Sequence, residues 1–207
     1  MWVAADGATY LGNAGQTVVY TEPVAANPEI QGASLAALTE AMAGGEVGVL
    51  LVLGGNPVYN SPADMNFAGG LGQVGLSVHL GLYVNESAAL CDWHLPESHF
   101  LESWGDVRAY DGTVTIQQPL IAPLYDSRSA HELLDALLNE EPTSAHQLVK
   151  SHWQAERGGD DFEDFWRTSL HDGLVAGSAL PPLAVEVQLD LAQLSLPPAP
   201  GPELEIN

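Results

Sequence analysis

The stretch that decides the fold is VGVLLVLGGNPVYNSPADMNF, from Val47 to Phe67. It is a continuous apolar run that ends at Gly54 and Gly55, directly before an Asn-Pro pair. An apolar run without alternation is typical of a strand buried on both faces of a parallel sheet. Ser61 followed by Pro62 has the pattern of a helix N-cap and first helical position. The sequence therefore predicts a buried strand, a glycine turn and a helix that begins beside Ser61.

This glycine turn has two explanations that the residues alone leave open. Ligands of open α/β sheets bind beyond the carboxyl ends of the strands, and the free N–H groups of a helix start favour a phosphate. Glycine is also the residue that a tight turn with positive φ requires. The turn is thus either an anion-binding loop or a purely conformational feature.

The flanking sequence alternates between strand-like and helix-like segments. Predicted strands and helices follow one another through the first two-thirds of the chain, which favours a mostly parallel, doubly wound α/β sheet. The predicted elements are a strand at Thr17–Pro23, a helix capped by Ser34 and ended by Gly44 and Gly45, a strand at Leu76–Tyr83, a short helix begun by Asn85 and an extended segment CDWHLP from Cys91 to Pro96.

The last third of the chain has a different organisation. Ser129 and Glu132 have capping-box spacing, and the helix behind them is expected to turn four leucines inward: Leu133, Leu134, Leu137 and Leu138. Two further helices are predicted at 144–156 and 161–170, and a strand at 185–196. We therefore expect an α/β domain at 1–140, a helical extension at 141–180 and a Pro-rich tail at 181–207.

The charge balance excludes one class of partner. The chain carries 27 acidic residues against 5 Lys and Arg, a formal net charge of −22. Nucleic-acid binding needs a basic patch, and anionic membrane surfaces are disfavoured for the same reason. A solvated acidic surface or a high-salt habitat explains the excess. Cys91 is the single cysteine, so the chain by itself has no disulfide and holds no iron–sulfur cluster.

The segment CDWHLPESHFLESWGD, from Cys91 to Asp106, concentrates polar residues. His94 and His99 have the chemistry of metal ligands, but their spacing fits no strong zinc template. Glu97 and Glu102 have the chemistry of an acid–base pair, but nothing in the sequence places them face to face. Ordinary loop chemistry is the favoured interpretation for all four residues.

Taken together, two stretches resemble the large subunits of molybdopterin-dependent oxidoreductases. These stretches are LLVLGGNPVYNSPADMNF and LSVHLGLYVNESAALCDWHLPESHFLESWGD, and the resemblance runs over about 11–138. The matching motifs are Gly54–Pro57, Asn85–Ala88, Leu90–Pro96, and Glu102 with Gly105. The resemblance implies a fold built around a pterin dinucleotide, with Gly54, Gly55, Asn56 and Glu86 as the candidate cofactor-binding residues.

Further segments are similar to one branch of this family, the molybdopterin-like iron–sulfur subunit of bacterial alternative complex III. These segments are LGNAGQTVVYTEPV, DGTVTIQQPLIAPLY, SAHELL and DFEDFWRTSLHDGLVAG, which extend the similarity to about Gly177. The resemblance implies a fragment of a subunit of a quinol-oxidising respiratory complex. The missing domains of that subunit would hold the iron–sulfur clusters.

Two departures from the catalytic members imply that the site is vestigial. Where those members carry an Asp that contacts the guanine, this chain has Gly81. Their Asn-x-Glu-x-Arg-like segment is replaced by VRAYDGTVTIQQP. The resemblance therefore implies a scaffold with no catalytic residue, no metal ligand and no molybdenum cofactor of its own. The alternative is a working domain that binds molybdopterin guanine dinucleotide.

The resemblance also implies the surroundings of the chain. The expected partners are the other subunits of a membrane-bound respiratory complex and the missing domains of the same subunit. No direct insertion into the membrane is expected. The expected location is the periplasmic face of the bacterial cytoplasmic membrane.

Overall fold

A computed structural model describes residues 12–184. The chain divides into two compact units, one formed by Pro23–Ala179 and the other including the described residues 12–22 and 180–184. In the smaller unit, the backbone N–H of Leu183 donates to the carbonyl oxygen of Tyr20 at 2.8 Å. All elements described below belong to the larger unit. The predicted boundaries at 140 and 180 stay a prediction, and the strand predicted at 185–196 lies outside the described residues.

Five strands form two separate sheets within residues 12–184. They are β1 (Val49–Leu53), β2 (Leu76–Gly81), β3 (Trp93–Pro96), β4 (Gly105–Arg108) and β5 (Val114–Gln117). The first three make a parallel sheet in the order β1-β2-β3, and the last two make an antiparallel hairpin. The predicted mixed α/β fold with a parallel sheet is therefore confirmed, whereas the hairpin is an element that the sequence analysis did not predict.

Seven helices accompany these strands in the described part of the chain. They are α1 (Gln31–Ala43), α2 (Pro57–Asn60), α3 (Phe67–Leu71), α4 (Glu86–Leu90), α5 (Ala130–Leu138), α6 (Ala145–Arg157) and α7 (Phe162–Asp172). A short 3-10 turn at Ala63–Met65 separates α2 from α3. Over the range that the structure describes, no helix is both long enough and apolar enough to cross a membrane.

Local capping chemistry explains the helix boundaries that the sequence predicts well. Asn85 caps α4 by accepting a hydrogen bond from the Ala88 N–H at 2.9 Å. Ser129 and Glu132 form both bonds of the predicted capping box at the start of α5. Ser144 caps α6 through the N–H of Gln147. These bonds join residues three apart, so the sequence alone carries the signal.

Three predictions of local structure are wrong. Ser61 ends α2 instead of starting a helix, because Pro57 directly after Asn56 already supplies a first helical position. Thr17–Pro23 is not a strand; an isolated bridge between Ala14 and Val18 is what forms there. The helix predicted from Ser34 begins three residues earlier, at Gln31.

The predicted inward leucine face of α5 is also wrong. Leu134, Leu137 and Leu138 are 40%, 58% and 80% exposed, and the buried residue of this helix is Asp135. The carboxylate of Asp135 accepts hydrogen bonds from the Asn139 side chain and the Thr143 N–H. Polar bonds to the following loop, rather than leucine packing, therefore set the orientation of α5.

Two hydrophobic cores hold the larger unit together. One lies where α1 and α3 pack on the parallel sheet, with Met42, Phe67 and Leu71 buried and Leu50 against them. The other joins the β4–β5 hairpin to α6 and α7. Its buried members are Val114, Ile116, Val149, Phe162, Trp166 and Val175. The aromatic stripe of α7 is thus packing, as its helical spacing predicts.

The opposite face of the parallel sheet is exposed over its amino-terminal half. Val49 on β1 is paired in register with Leu76 on β2. Val78, also on β2, is paired with Trp93 on β3. Val49 and Trp93 are 60% and 62% exposed. The doubly wound arrangement, with helices over both faces of the sheet, stays a prediction.

Candidate functional site

The glycine loop follows β1 at the carboxyl edge of the parallel sheet. Gly54 and Gly55 have φ values of +64° and +69°, in the left-handed region. The N–H of Gly54 still extends the sheet by donating to the carbonyl oxygen of Leu80 at 2.8 Å. For residues with a side chain, this conformation costs about 1–2 kcal/mol. The conformational explanation of the two glycines is therefore sufficient for the turn itself.

Asn56 is the centre of a hydrogen-bond network that joins the glycine loop to α4. Its side-chain amide donates to Glu86 Oε2 at 2.6 Å. Its Oδ1 accepts from Ser87 twice, from the N–H at 3.1 Å and from Oγ at 2.8 Å. The structure thus brings together Asn56 and Glu86, two of the predicted site residues. Ser87, which is fully buried, was not among the residues singled out in the sequence.

The N–H groups at the start of α2 are already engaged. Pro57 has no N–H, and the N–H of Val58 donates to Ser87 Oγ at 3.0 Å. The N–H of Tyr59 donates to the carbonyl oxygen of Asn56 at 3.0 Å. The helix has only four residues. Its N-terminus therefore offers none of the free donors that would attract a phosphate.

The carbonyl oxygen of Gly55 is bound by two side chains from outside the loop. It accepts hydrogen bonds from His79 Nε2 at 3.2 Å and from the Asn85 side-chain amide at 3.1 Å. His79 is completely buried on β2. The loop is thus fixed by a strand on one side and by a helix cap on the other.

The charges around the loop are negative. The hydrogen bond from the Asn56 amide is the main cause that lowers the pKa of Glu86, and a bond from the backbone N–H of Glu86 itself adds to the effect. This carboxylate is therefore ionised at neutral pH. The Glu97 side chain lies beside Gly54, where a Cβ would sit 3.8 Å from Oε2. Burial raises the pKa of Glu97, and the nearby His79 opposes that effect.

These features do not fit a pterin dinucleotide. A phosphate at this loop would be repelled by the Glu86 carboxylate, and the side-chain amide of Asn56 is already bonded to that carboxylate. A Cβ on Gly81 would collide with the imidazole of His79, so the position has no room for the Asp of catalytic members. The side chains of Asn56 and Glu86 instead satisfy one another.

The other polar residues of the Cys91–Asp106 segment have structural partners. Glu102 braces two loops, accepting from the His99 N–H at 3.0 Å and from the Leu124 N–H at 3.1 Å. His94 lies on β3 against His79 rather than against His99. Within residues 12–184, no three His, Cys, Asp or Glu side chains are grouped so that they could hold a metal ion.

Cys91 behaves as a small apolar residue. It is partly buried and packs against the core beneath α1 and α3. Burial raises the pKa of its thiol above the ordinary value. A thiol of this kind is a poor nucleophile at neutral pH.

Comparison with curated proteins gives a relative of known type. The chain is 29% identical over 170 residues to the menaquinone reductase, molybdopterin-binding-like subunit, of Nitratidesulfovibrio vulgaris. The alignment covers 76% of this chain and 24% of that protein. No protein-family model matches the chain.

Among solved structures, the acetylene hydratase from Pelobacter acetylenicus is similar with a TM-score of 0.46 and 22% identity. That match covers 50% of this chain and 15% of the hydratase chain. The curated relative is the finding that carries weight. It confirms the resemblance found in the sequence, because the chain is similar to a subunit described as molybdopterin-binding-like.

Proposed function

We propose that this chain is a structural part of a molybdopterin-like subunit in a respiratory, quinone-active electron-transfer complex. In this proposal it has no catalytic residue and no molybdenum cofactor. The observation that carries the proposal is the closed network around Asn56, in which the candidate cofactor-binding groups bond to one another. The curated relative, a molybdopterin-binding-like subunit of a menaquinone reductase, supports the respiratory setting.

The energetics of the network support a scaffold role. A ligand at this loop would have to break the bonds between Asn56, Ser87 and Glu86 before binding. Leaving a buried polar group such as the Ser87 hydroxyl without a partner costs about 1–3 kcal/mol. The ligand would also have to overcome the repulsion between its phosphates and the Glu86 carboxylate. The site is thus better built for holding the loop than for admitting an anion.

The type of complex is a finer part of the proposal. The segments quoted from the sequence resemble the molybdopterin-like iron–sulfur subunit of alternative complex III, which oxidises quinol, whereas the relative's name describes a quinone reductase. We propose the alternative complex III assignment on those segments. The iron–sulfur clusters then lie elsewhere in the parent subunit, because this chain has a single cysteine. With this assignment, the proposed location of the chain is the periplasmic face of the cytoplasmic membrane.

The exposed sheet face supports the proposed contact with further protein. Parallel sheets are almost always covered on both faces, and here Val49 and Trp93 expose an apolar surface. We propose that this face packs against other domains of the same subunit. The chain spans 24% of the length of its curated relative, a protein that has room for such domains.

The alternative function is a domain that binds molybdopterin guanine dinucleotide. The observation in its favour is the pair of left-handed glycines at the carboxyl edge of a parallel sheet, where α/β proteins place their ligands. It requires Asn56 and Glu86 to exchange their mutual bond for bonds to the ligand.

Elemental analysis of the complex isolated from its native host distinguishes the two functions. We expect iron without stoichiometric molybdenum or tungsten, and no pterin after acid extraction. Stoichiometric molybdenum or tungsten, lost in an assembled variant carrying Asn56→Asp, would overturn the scaffold assignment. If a second molybdopterin subunit held the metal, the metal would survive this change, and the scaffold assignment would stand.

The proposed packing of the sheet face has its own test. Trp93→Asp should reduce the fraction of the chain recovered in the assembled complex, since it places a charge in an apolar contact. Tyr110→Asp is the matched control, because Tyr110 is 98% exposed in the loop between β4 and β5. Equal recovery of the two variants would count against a contact at this face.

A further inference from the structure

His79 and His94 form a stacked pair beneath the glycine loop. They occupy register positions opposite each other on β2 and β3. Their Nδ1 atoms lie 2.9 Å apart, and their rings are stacked with an interplanar angle of 25°. His79 is completely buried, and His94 is half-buried. The network around Asn56 does not require a second histidine, so the pair needs its own explanation.

The partners of His79 determine where the protons lie. A carbonyl oxygen can only accept, so the bond from His79 Nε2 to Gly55 requires a proton on that nitrogen. In a neutral His79 the Nδ1 then has a lone pair, and Nδ1 of His94 must donate. One additional proton is tolerated, because it lets Nδ1 of His79 donate to Nδ1 of His94 instead. A second additional proton would set two N–H groups against each other at 2.9 Å.

The carboxylates around the pair do not stabilise both imidazole rings in their charged form. Glu97 is the carboxylate that interacts with His79. The Asp92 carboxylate accepts a hydrogen bond from Ser77, which lies two residues before His79 on β2. The Glu86 carboxylate accepts a hydrogen bond from Asn56. Burial, followed by the charge of His79, lowers the pKa of His94. The second protonation is therefore opposed by both geometry and environment.

We propose that the His79–His94 pair is a proton-sensitive latch on the glycine loop. The pair takes up one proton while the Gly55 carbonyl stays bound to His79. Uptake of a second proton separates the rings, breaks the His79–Gly55 bond and releases the loop from β2. The latch is a property of this chain's own residues and is independent of whether the parent complex oxidises or reduces quinone.

Nuclear magnetic resonance of the full chain tests the latch directly. With ¹⁵N-labelled histidine at neutral pH, we expect His79 as the Nε2–H tautomer and His94 as the less common Nδ1–H tautomer. An Nε2–H tautomer for both rings, each titrating independently, would overturn the proposal.

Amide exchange provides the readout of the loop. Val58 N–H, bonded to Ser87, reports the loop, and Val175 N–H, bonded to Val114 in the other core, reports global unfolding. At acid pH, below the range in which an ordinary histidine takes up its proton, we expect the protection factor of Val58 to fall about tenfold or more, while that of Val175 is maintained. Equal loss at both amides would mean whole-chain unfolding and would contradict a local latch.

The His94→Gln variant distinguishes the effect of the histidine pair on the loop from other effects of acid on the protein. In His94→Gln the amide can donate to or accept from His79, so a charged His79 keeps its partner and the acid step at Val58 should disappear. His131→Gln, on α5 outside the network, should retain the step. Persistence of the same step in a folded His94→Gln protein would overturn the proposal.

Discussion

The side-chain amide of Asn56 donates a hydrogen bond of 2.6 Å to the carboxylate of Glu86, thirty residues further along the chain. The family resemblance implies that both residues face a pterin dinucleotide. In this structure they face each other, and Asn56 also accepts from the buried Ser87. The two residues thus form a structural joint between the loop after β1 and α4.

Replacing Asn56 tests this joint. Asn56→Ala removes the acceptor of the Ser87 hydroxyl and N–H, and we expect a loss of about 1–3 kcal/mol in the free energy of unfolding. Denaturant unfolding measures the change. Asn60→Ala, at the exposed end of the same short helix, is the control and should change stability by less than about 0.5 kcal/mol. A neutral Asn56→Ala would show that the joint contributes nothing.

Asn56→Asp tests the charge of the same joint. It places a second carboxylate beside Glu86, so the variant should be less stable than Asn56→Ala at neutral pH. The deficit should shrink as the pH falls and the carboxylates are protonated. The same denaturation experiment at two pH values measures it, and a pH-independent difference would contradict the electrostatic explanation.

Alanine substitutions at two glycines should have opposite effects. Gly55 has positive φ with open space around it, so Gly55→Ala should cost about 1–2 kcal/mol through backbone strain alone. Gly32 lies in α1, also with open space, and Gly32→Ala should stabilise by about 0.5–1 kcal/mol. Thermal unfolding compares them, and the same sign for both would contradict the described turn.

Glu97→Gln should stabilise the protein at neutral pH. Burial raises the pKa of Glu97, so its proton binds more tightly in the folded state than in the unfolded state. The associated stability is present below the ordinary pKa of Glu and is lost as the pH rises through the folded-state value. The gain in melting temperature should thus be larger at pH 7 than at pH 4. Glu156→Gln on α6 is the exposed control.

Asp135→Asn should destabilise the junction between α5 and α6. The pKa of Asp135 is lowered mainly by the hydrogen bond from the Thr143 N–H and further by the bond from the Asn139 side chain. A lowered pKa contributes stability that is present above the ordinary pKa of Asp and lost as the pH falls through the folded-state value. The variant should therefore unfold more readily at pH 7 and approach the wild type in acid. Asp164→Asn, exposed on α7, provides the comparison.

Much of the fold was predictable because its signals are local. The apolar run before Gly54, the caps at Asn85 and Ser144 and the capping box at Ser129 each act within a few residues. The parallel pairing of β1 and β2 follows from the same alternation of strands and helices. The helix assigned to Ser61 failed because two proline starts compete there, and Pro57 comes first.

The amino-acid sequence by itself determined a glycine turn after a buried strand, a mostly parallel sheet and the acidic charge, since each depends on residue type and spacing along the chain. Only the tertiary structure decided that Asn56 bonds to Glu86 and Ser87, that His79 meets His94, and that Asp135 rather than a leucine is the buried residue of α5. These contacts join residues from different elements. Their geometry is fixed by how the strands and helices pack, which spacing along the chain does not specify.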